Sequence, residues 1–257
     1  MGTSSSITLN NGIEMPVLGL GTWKMNDAEA EASVLYALEI GYRHIDTATY
    51  YGNERGVGRA VRESGLPREE IFVTTKLWPA DFSNPRKAFQ KSRERLGLEY
   101  VDLYLVHWPV SLMPQSVWQA LEKLYEEKLA RAIGVSNYGI EDIDKLLSYA
   151  SVPPAVNQIK FSPYDYDEEI LNYCYSKDIA VEAYSPLTQG NHLHDQTIKA
   201  LARTYAKTPA QIMIRWALQH DTIVIPKSSR REHIRENAAV FDFEINTQDM
   251  KTLSRLT

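Results

Sequence analysis

Four polar side chains end apolar runs or follow directly on them: Asp46, Tyr51, Lys76 and His107. Asp46 and Tyr51 belong to D-T-A-T-Y-Y-G-N-E, Lys76 to V-T-T-K-L-W and His107 to D-L-Y-L-V-H-W-P. A free tyrosine, with a pKa of about 10, is a poor acid and a poor base near neutrality. A neighbouring ammonium favours the phenolate, so Lys76 beside Tyr51 is expected to lower that value. Asp46 holds the lysine charged by pairing with it, and His107 orients a carbonyl oxygen or shares its proton. Such a group protonates an oxygen on which negative charge develops. Taken singly, an aspartate or histidine at a strand end caps a loop, a lysine there is a solvated charge and a tyrosine packs a rim. Their joint placement on successive strands favours the chemical reading, although a buried Asp46–Lys76 pair is partly structural in either case.

Gathering these residues requires strands whose ends meet. Short apolar runs recur at Val17–Gly21, His44–Asp46, Ile71–Lys76, Leu103–His107, Ala132–Val135, Ala155–Gln158, Ala180–Tyr184 and Thr222–Ile225. They lack strict alternation, which suits parallel strands buried on both faces. Helical stretches fill the gaps. Asn26 with Glu29 and Thr208-Pro209 with Gln211 form capping boxes, Asn84-Pro85 starts a helix, and Gly41, Gly65 and Gly97 stop helices. Eight strand–helix repeats predict an α/β fold, the closed (β/α)8 TIM barrel, preceded by a hairpin of Ile7–Leu9, Asn10-Asn11-Gly12 and Glu14–Pro16. On such barrels the site lies at the C-terminal strand ends.

The chain of 257 residues matches the ~250 residues one such barrel takes, and residues 1–257 are read as a single domain. Met1 to Ser6 reads as a short disordered lead, and Asn246 to Thr257 as one last helix. A net charge of −5 gives no reason to expect nucleic acid or an anionic membrane as partner. No apolar stretch approaches the ~18 residues of a membrane span. Cys174 is the sole cysteine, so no intrachain disulfide forms, and a cytoplasmic location is expected. His192 and His194 form H-x-H without further ligands at a suitable spacing, so no metal site is expected.

With these residues in place, the chain resembles the aldo-keto reductases along nearly its whole length, from Ile7 onward. The resemblance rests on G-L-G-T-W at Gly19, the D-T-A-T-Y-Y-G-N-E segment, K-L-W at Lys76, H-W-P at His107, G-V-S-N-Y at Gly134, N-Q at Asn157, A-Y-S-P-L at Ala183 and I-P-K-S at Ile225, all in the family's order. It implies reversible, NAD(P)H-dependent reduction of aldehydes and ketones, with hydride from the nicotinamide C4 and the proton from Tyr51. By position it implies that Ser136, Asn137 and Gln158 hold the carboxamide and that Tyr184 stacks on the ring. Ser185 and Leu187 would line the pyrophosphate path, Lys227 and Ser228 would meet the ribose and its 2′-phosphate, and Glu236 and Asn237 would lie near the adenine. His233 stands where members preferring NADPH usually carry arginine, and imidazole lacks the charged fork that suits a phosphate. NADP(H) is therefore expected, with use of NAD(H) as well.

Trp23, Tyr50, Trp78 and Trp108 lie beside the strand ends and suggest an aromatic-walled pocket for carbonyl compounds with a hydrophobic body. With the short Val110–Gln115 and Thr188–Asp195 segments and a C-terminus shorter than in longer relatives, the resemblance implies an open pocket of broad, weak selectivity, and it also implies a monomer. Two rival readings remain at this stage. Lys76 in a barrel mouth also suits Schiff-base chemistry, and some relatives of such a chain serve as regulators without catalysis.

Overall fold

The computed structural model describes residues 5–110 and 113–256. In chain order it contains β1 (Ser6–Thr8), β2 (Glu14–Pro16), β3 (Leu20–Gly21), α1 (Asp27–Glu39), β4 (His44–Asp46), α2 (Glu54–Glu63), β5 (Phe72–Leu77) and α3 (Pro85–Leu96). There follow β6 (Val101–Val106), α4 (Gln115–Glu126), β7 (Ala130–Ser136), α5 (Ile140–Leu147), β8 (Val156–Lys160), α6 (Glu168–Ser176) and β9 (Ala180–Tyr184). The chain closes with α7 (Gln196–Thr204), α8 (Pro209–Leu218), β10 (Ile223–Ile225), α9 (Arg231–Ala238) and α10 (Thr247–Leu253). Residues 1–4 of the expected lead, and part of the Val110–Gln115 loop, lie outside the described residues, whereas Ser6 is paired in β1.

β3 to β10 form one parallel sheet in sequence order. The ring is joined where Gly19 donates to the Val224 carbonyl, Val224 to that of Val17, and Gly21 to that of Pro226. This is the expected eight-stranded barrel, and β1–β2 is the expected antiparallel hairpin. The strands read as apolar runs because β4, β5, β6 and β10 are buried at every position. One face packs under the helical shell and the other fills the lumen.

The signals that end the helices act as read. Asn26 and Glu29 complete a capping box on α1, and Thr208 and Gln211 complete one on α8. Asn84 accepts from the Lys87 amide ahead of Pro85, and Gly97 stops α3 in the left-handed region at φ 63°. Losing one such cap costs about 1 kcal/mol. Gly58 is required for a different reason: a Cβ there would lie 1.9 Å from the Leu96 carbonyl oxygen, so α2 and α3 cross with their backbones almost touching.

The hairpin plugs the barrel base. Leu9 and Met15 join Phe72, Leu103, Leu105, Ala132 and Val156 in an apolar cluster separate from the main core under the helices. Strand side chains alternate in direction, so the inward rows climb from this apolar floor to Asp46, Lys76 and the residues at the opposite rim. Among the described residues no helix is long and apolar enough to cross a membrane.

Candidate active site

The loop after β4 explains the density of the D-T-A-T-Y-Y-G-N-E segment. A single 3-10 turn, Thr49–Tyr51, ends at Gly52 in the left-handed conformation, φ 69°. The fully buried Asn53 then ties the loop down: its amide donates to the carbonyls of Thr22 (2.8 Å) and Met25 (3.0 Å), and its oxygen accepts from Thr47 (2.7 Å). Glu54, also buried, accepts from Thr75 and Arg95 at 2.6 Å each. Tyr51 therefore projects from a turn pinned to β5, α3 and the β3–α1 loop.

Lys76 lies fully buried, with its ammonium 2.7 Å from Asp46, donating also to the Thr47 carbonyl (3.0 Å) and to the Tyr51 phenol oxygen (3.3 Å). Burial opposes charge on Lys76, but Asp46 and Tyr51 more than offset it and hold the ammonium above its ordinary value. The Tyr51 phenol differs from expectation. Burial pushes it up to about 12, and this outweighs the downward pull of Lys76. Tyr51 is thus a protonated phenol beside a fixed cation. The His107 ring stands edge-on to Tyr51 with centroids 5.7 Å apart, and burial, then Lys76, depress its pKa to about 3. It is a neutral imidazole.

Below this set is a second polar row that the sequence reading did not single out. Gln158 on β8 donates from Nε2 to Asp46 (2.9 Å) and to Glu182 (2.7 Å). The other Glu182 oxygen lies 3.3 Å from Nε2 of His44, itself near the Thr74 hydroxyl at 3.4 Å. Glu182 and His44 are both fully buried. Burial, then the Asp46 charge, raise the Glu182 carboxyl well above its ordinary range, while burial and Lys76 lower His44 to about 3. His44 reaches the lumen because Gly19 has no side chain; a Cβ there would fall 2.5 Å from Nδ1. The signal for Glu182 was present in V-E-A-Y, a charge inside an otherwise apolar strand.

Above Tyr51 opens a cleft of about 850 Å³. Its wall includes Asp46, Tyr51 and His107 and, of the residues expected at a cofactor, Ser136, Asn137, Gln158, Tyr184, Ser185, Leu187, Lys227, Ser228 and His233. Several of these are mutually oriented. Ser136 donates to the Gln158 carbonyl (2.9 Å), Asn137 donates to the Ser136 hydroxyl (3.0 Å), and the Tyr184 hydroxyl donates to Asn137 (2.8 Å). Both hydrogens of the Gln158 amide are directed at carboxyl groups, which leaves Oε1 as the remaining polar atom of that side chain. Asn137 spends its other amide hydrogen on the His107 carbonyl at 3.2 Å, so the two amide oxygens of Gln158 and Asn137, with the ring of Tyr184, suit the NH2 of a carboxamide-bearing flat heterocycle. Lys227, Arg230 and His233, all exposed, supply positive or imidazole groups at the far end of the same cleft.

Lys76 lies beneath this wall rather than in it, and two of the residues expected at the cofactor are also absent from it. The Glu236 carboxylate accepts from Thr208 at 2.5 Å, and Asn237 is buried, because α9 turns this part of its surface towards α8. The four aromatics do meet the cleft: Trp23, Tyr50, Trp78 and Trp108 all line it. Tyr50 stacks on Trp78 at 4.1 Å, and Trp78 stands edge-on to His107 at 5.1 Å.

Comparison with known proteins bears on this geometry. The profile described as the Aldo/keto reductase family matches residues 17–257. A 9,11-endoperoxide prostaglandin H2 reductase of Trypanosoma cruzi is 45% identical over 256 residues, covering 97% of this chain and 90% of that protein. A glyoxal reductase of Bacillus subtilis is 45% identical over 254 residues, covering 98% and 92%. Among solved structures, a Bombyx mori aldo-keto reductase in complex with NADP superposes with a TM-score of 0.93 at 34% identity, covering 100% of this chain and 94% of that one.

Proposed function

This chain belongs to the aldo/keto reductase family, and from that premise we propose that it reduces aldehydes and ketones to alcohols with Tyr51 as the proton donor. It is an oxidoreductase by family, and the reductases it resembles act on carbonyl or peroxide substrates by name. The observation that carries the reading is the contact of the buried Lys76 ammonium with the Tyr51 phenol at 3.3 Å in the floor of the cleft.

The cofactor fitting this site is a nicotinamide dinucleotide, which supplies the hydride when bound. Asn137 and Gln158 would hold its carboxamide, Tyr184 its ring, and Lys227, Ser228, Arg230 and His233 its distal end. The Bombyx mori relative binds NADP, and the cationic end of the cleft supports NADP(H) here, with NAD(H) tolerated because His233 carries no fixed charge.

The protein's own part is proton delivery and positioning. His107, held neutral, orients the carbonyl oxygen towards Tyr51. As negative charge develops on that oxygen, the phenol gives up its proton, and the Lys76 ammonium stabilises the phenolate left behind. Asp46 keeps Lys76 charged and in place. The aromatic wall receives the apolar body of the substrate. The same facts weigh against Schiff-base chemistry: a fully buried lysine held as an ammonium by Asp46 is not a nucleophile.

The test is oxidation of NADPH and NADH, followed against a panel of aldehydes, ketones and sugars, with Tyr51→Phe as control. Turnover by the native protein and a fall of about 100-fold or more in kcat for the variant are expected. Undiminished turnover in Tyr51→Phe would refute the mechanism.

A further inference from the structure

We propose that Glu182 is a positioning residue for this reaction: together with Asp46 it clamps the Gln158 amide so that Oε1 is the atom offered to the cleft, and so sets the carboxamide and ring of the cofactor. The inference rests on the cofactor placement proposed above and goes beyond it, to a carboxyl that touches neither cofactor nor substrate.

The geometry points to Glu182 in three ways. Its position is the first. On β9 it lies two residues before Tyr184, on the same inward face, and its side chain is fully buried in a lumen that is otherwise apolar at its base. An unpaired carboxyl there costs several kcal/mol, whereas a leucine would fill the layer without polar partners. The direction of its hydrogen bond is the second. Oε2 accepts from Gln158 at 2.7 Å, so the bond ties β9 to a residue of the cleft wall rather than to the helical shell. The pairing of the amide is the third. Asp46 takes the other Gln158 hydrogen at 2.9 Å, and with two acceptors fixing the NH2 group the side chain cannot flip without facing an oxygen to two carboxyls.

Why a carboxylic acid and not a second carboxylate follows from what surrounds it. Asp46 and His44 on β4, Lys76 on β5, Tyr51 on its turn and Gln158 on β8 all bear on Glu182. Lys76 is already paired with Asp46. A protonated Glu182 accepts from Gln158 through its carbonyl oxygen and offers its hydroxyl to His44, adding no charge to that pair. Burial and Asp46 hold it in this form by raising its pKa. Ionisation would place a second negative charge near Tyr51, which raises the phenol further.

The test is direct titration of NADPH binding by tryptophan fluorescence in the native protein, Gln158→Met, Glu182→Met and the double variant. Each single change is expected to weaken binding about tenfold, the worth of one well-placed hydrogen bond. The double variant is expected to lose about tenfold and not a hundredfold, because Glu182 acts through Gln158. Glu182→Gln, which keeps the acceptor and cannot ionise, is expected to bind within about twofold of native at pH 7. Impaired Gln158→Met with native binding in Glu182→Met overturns the clamp, as does additive loss in the double variant or a tenfold loss in Glu182→Gln. Native binding in Gln158→Met overturns the cofactor placement itself. If Glu182→Met does not fold, Glu182→Asp takes its place: it draws the acceptor back by one methylene, and unchanged NADPH binding in that variant overturns the clamp equally.

Discussion

Lys76 donates to the phenol oxygen of Tyr51 across 3.3 Å, from an ammonium with no exposure to solvent. The cation cannot reorganise with water, so in the proposed mechanism its stabilising effect on a developing phenolate is built in before reaction. The phenol remains protonated at neutral pH, with its pKa at about 12, which is the state the proposed proton donor requires.

Lys76→Met is expected to lose on two counts. Asp46 would be left buried without its cation, a loss of about 3–5 kcal/mol in stability. Turnover would fall by at least about 100-fold, as the phenolate loses its counter-charge. Asp46→Asn leaves the buried ammonium without its carboxylate and turns an NH2 group towards Lys76 or Gln158, so a loss of similar size is expected. Urea unfolding and steady-state kinetics of both variants, run side by side, check both losses; stability equal to that of the native protein in either variant contradicts them.

Stability should peak near pH 6.5, the ordinary value of the two histidines whose folded values lie at about 3. Below it the unfolded chain protonates His44 and His107 while the folded chain does not, so each removes about 1.4 kcal/mol per pH unit as pH falls. Glu182 has the opposite sign: its folded value is raised, so its contribution is lost as pH rises above the ordinary 4.5. Between 4.5 and 6.5 two histidines oppose one glutamate, leaving a net loss of about 1.4 kcal/mol per unit towards acid. Above 6.5 the Glu182 contribution alone remains and stability declines towards alkali. Unfolding at pH 5, 6.5 and 8 measures both slopes, and Glu182→Gln should flatten the alkaline one.

Cofactor choice should respond to one exposed position. His233→Arg would set a fixed guanidinium in the cleft wall near Lys227 and Arg230. The Michaelis constant for NADPH is expected to fall about fivefold to tenfold, the scale of one charge-assisted contact, with that for NADH unchanged. Equal changes for both cofactors would place His233 away from the 2′-phosphate.

Trp78 carries the aromatic wall, since Tyr50 stacks on it and it stands edge-on to His107. Trp78→Ala is expected to raise the Michaelis constant for aromatic aldehydes about tenfold while sparing glyoxal-sized carbonyls. Kinetics with a size series of aldehydes would show the split; a uniform change across the series would mean that the wall does not touch substrate.

Asp46, Lys76 and His107 were legible because parallel strands buried on both faces are written as apolar runs, and a polar residue closing such a run stands out. The turn carrying Tyr51 was legible for its length, since Gly52, Asn53 and Glu54 each meet a local demand. Glu182 was overlooked because a lone charge in a strand shows its partners only once β8 and β4 are brought to it. The net effect on the Tyr51 phenol was equally out of reach: proximity to Lys76 is written in the motif order, but depth of burial, which dominates, is a property of the closed barrel. Glu236 and Asn237 follow the right motif, yet the direction in which α9 presents them depends on its packing against α8.

The bridge from Asp46 through Gln158 to Glu182 spans strands β4, β8 and β9, and its first link joins residues 112 positions apart. No contiguous stretch of chain short of most of the barrel contains it. The bridge exists only when β4, β8 and β9 face one another across the lumen, so turnover that depends on it cannot return in refolding before that arrangement does.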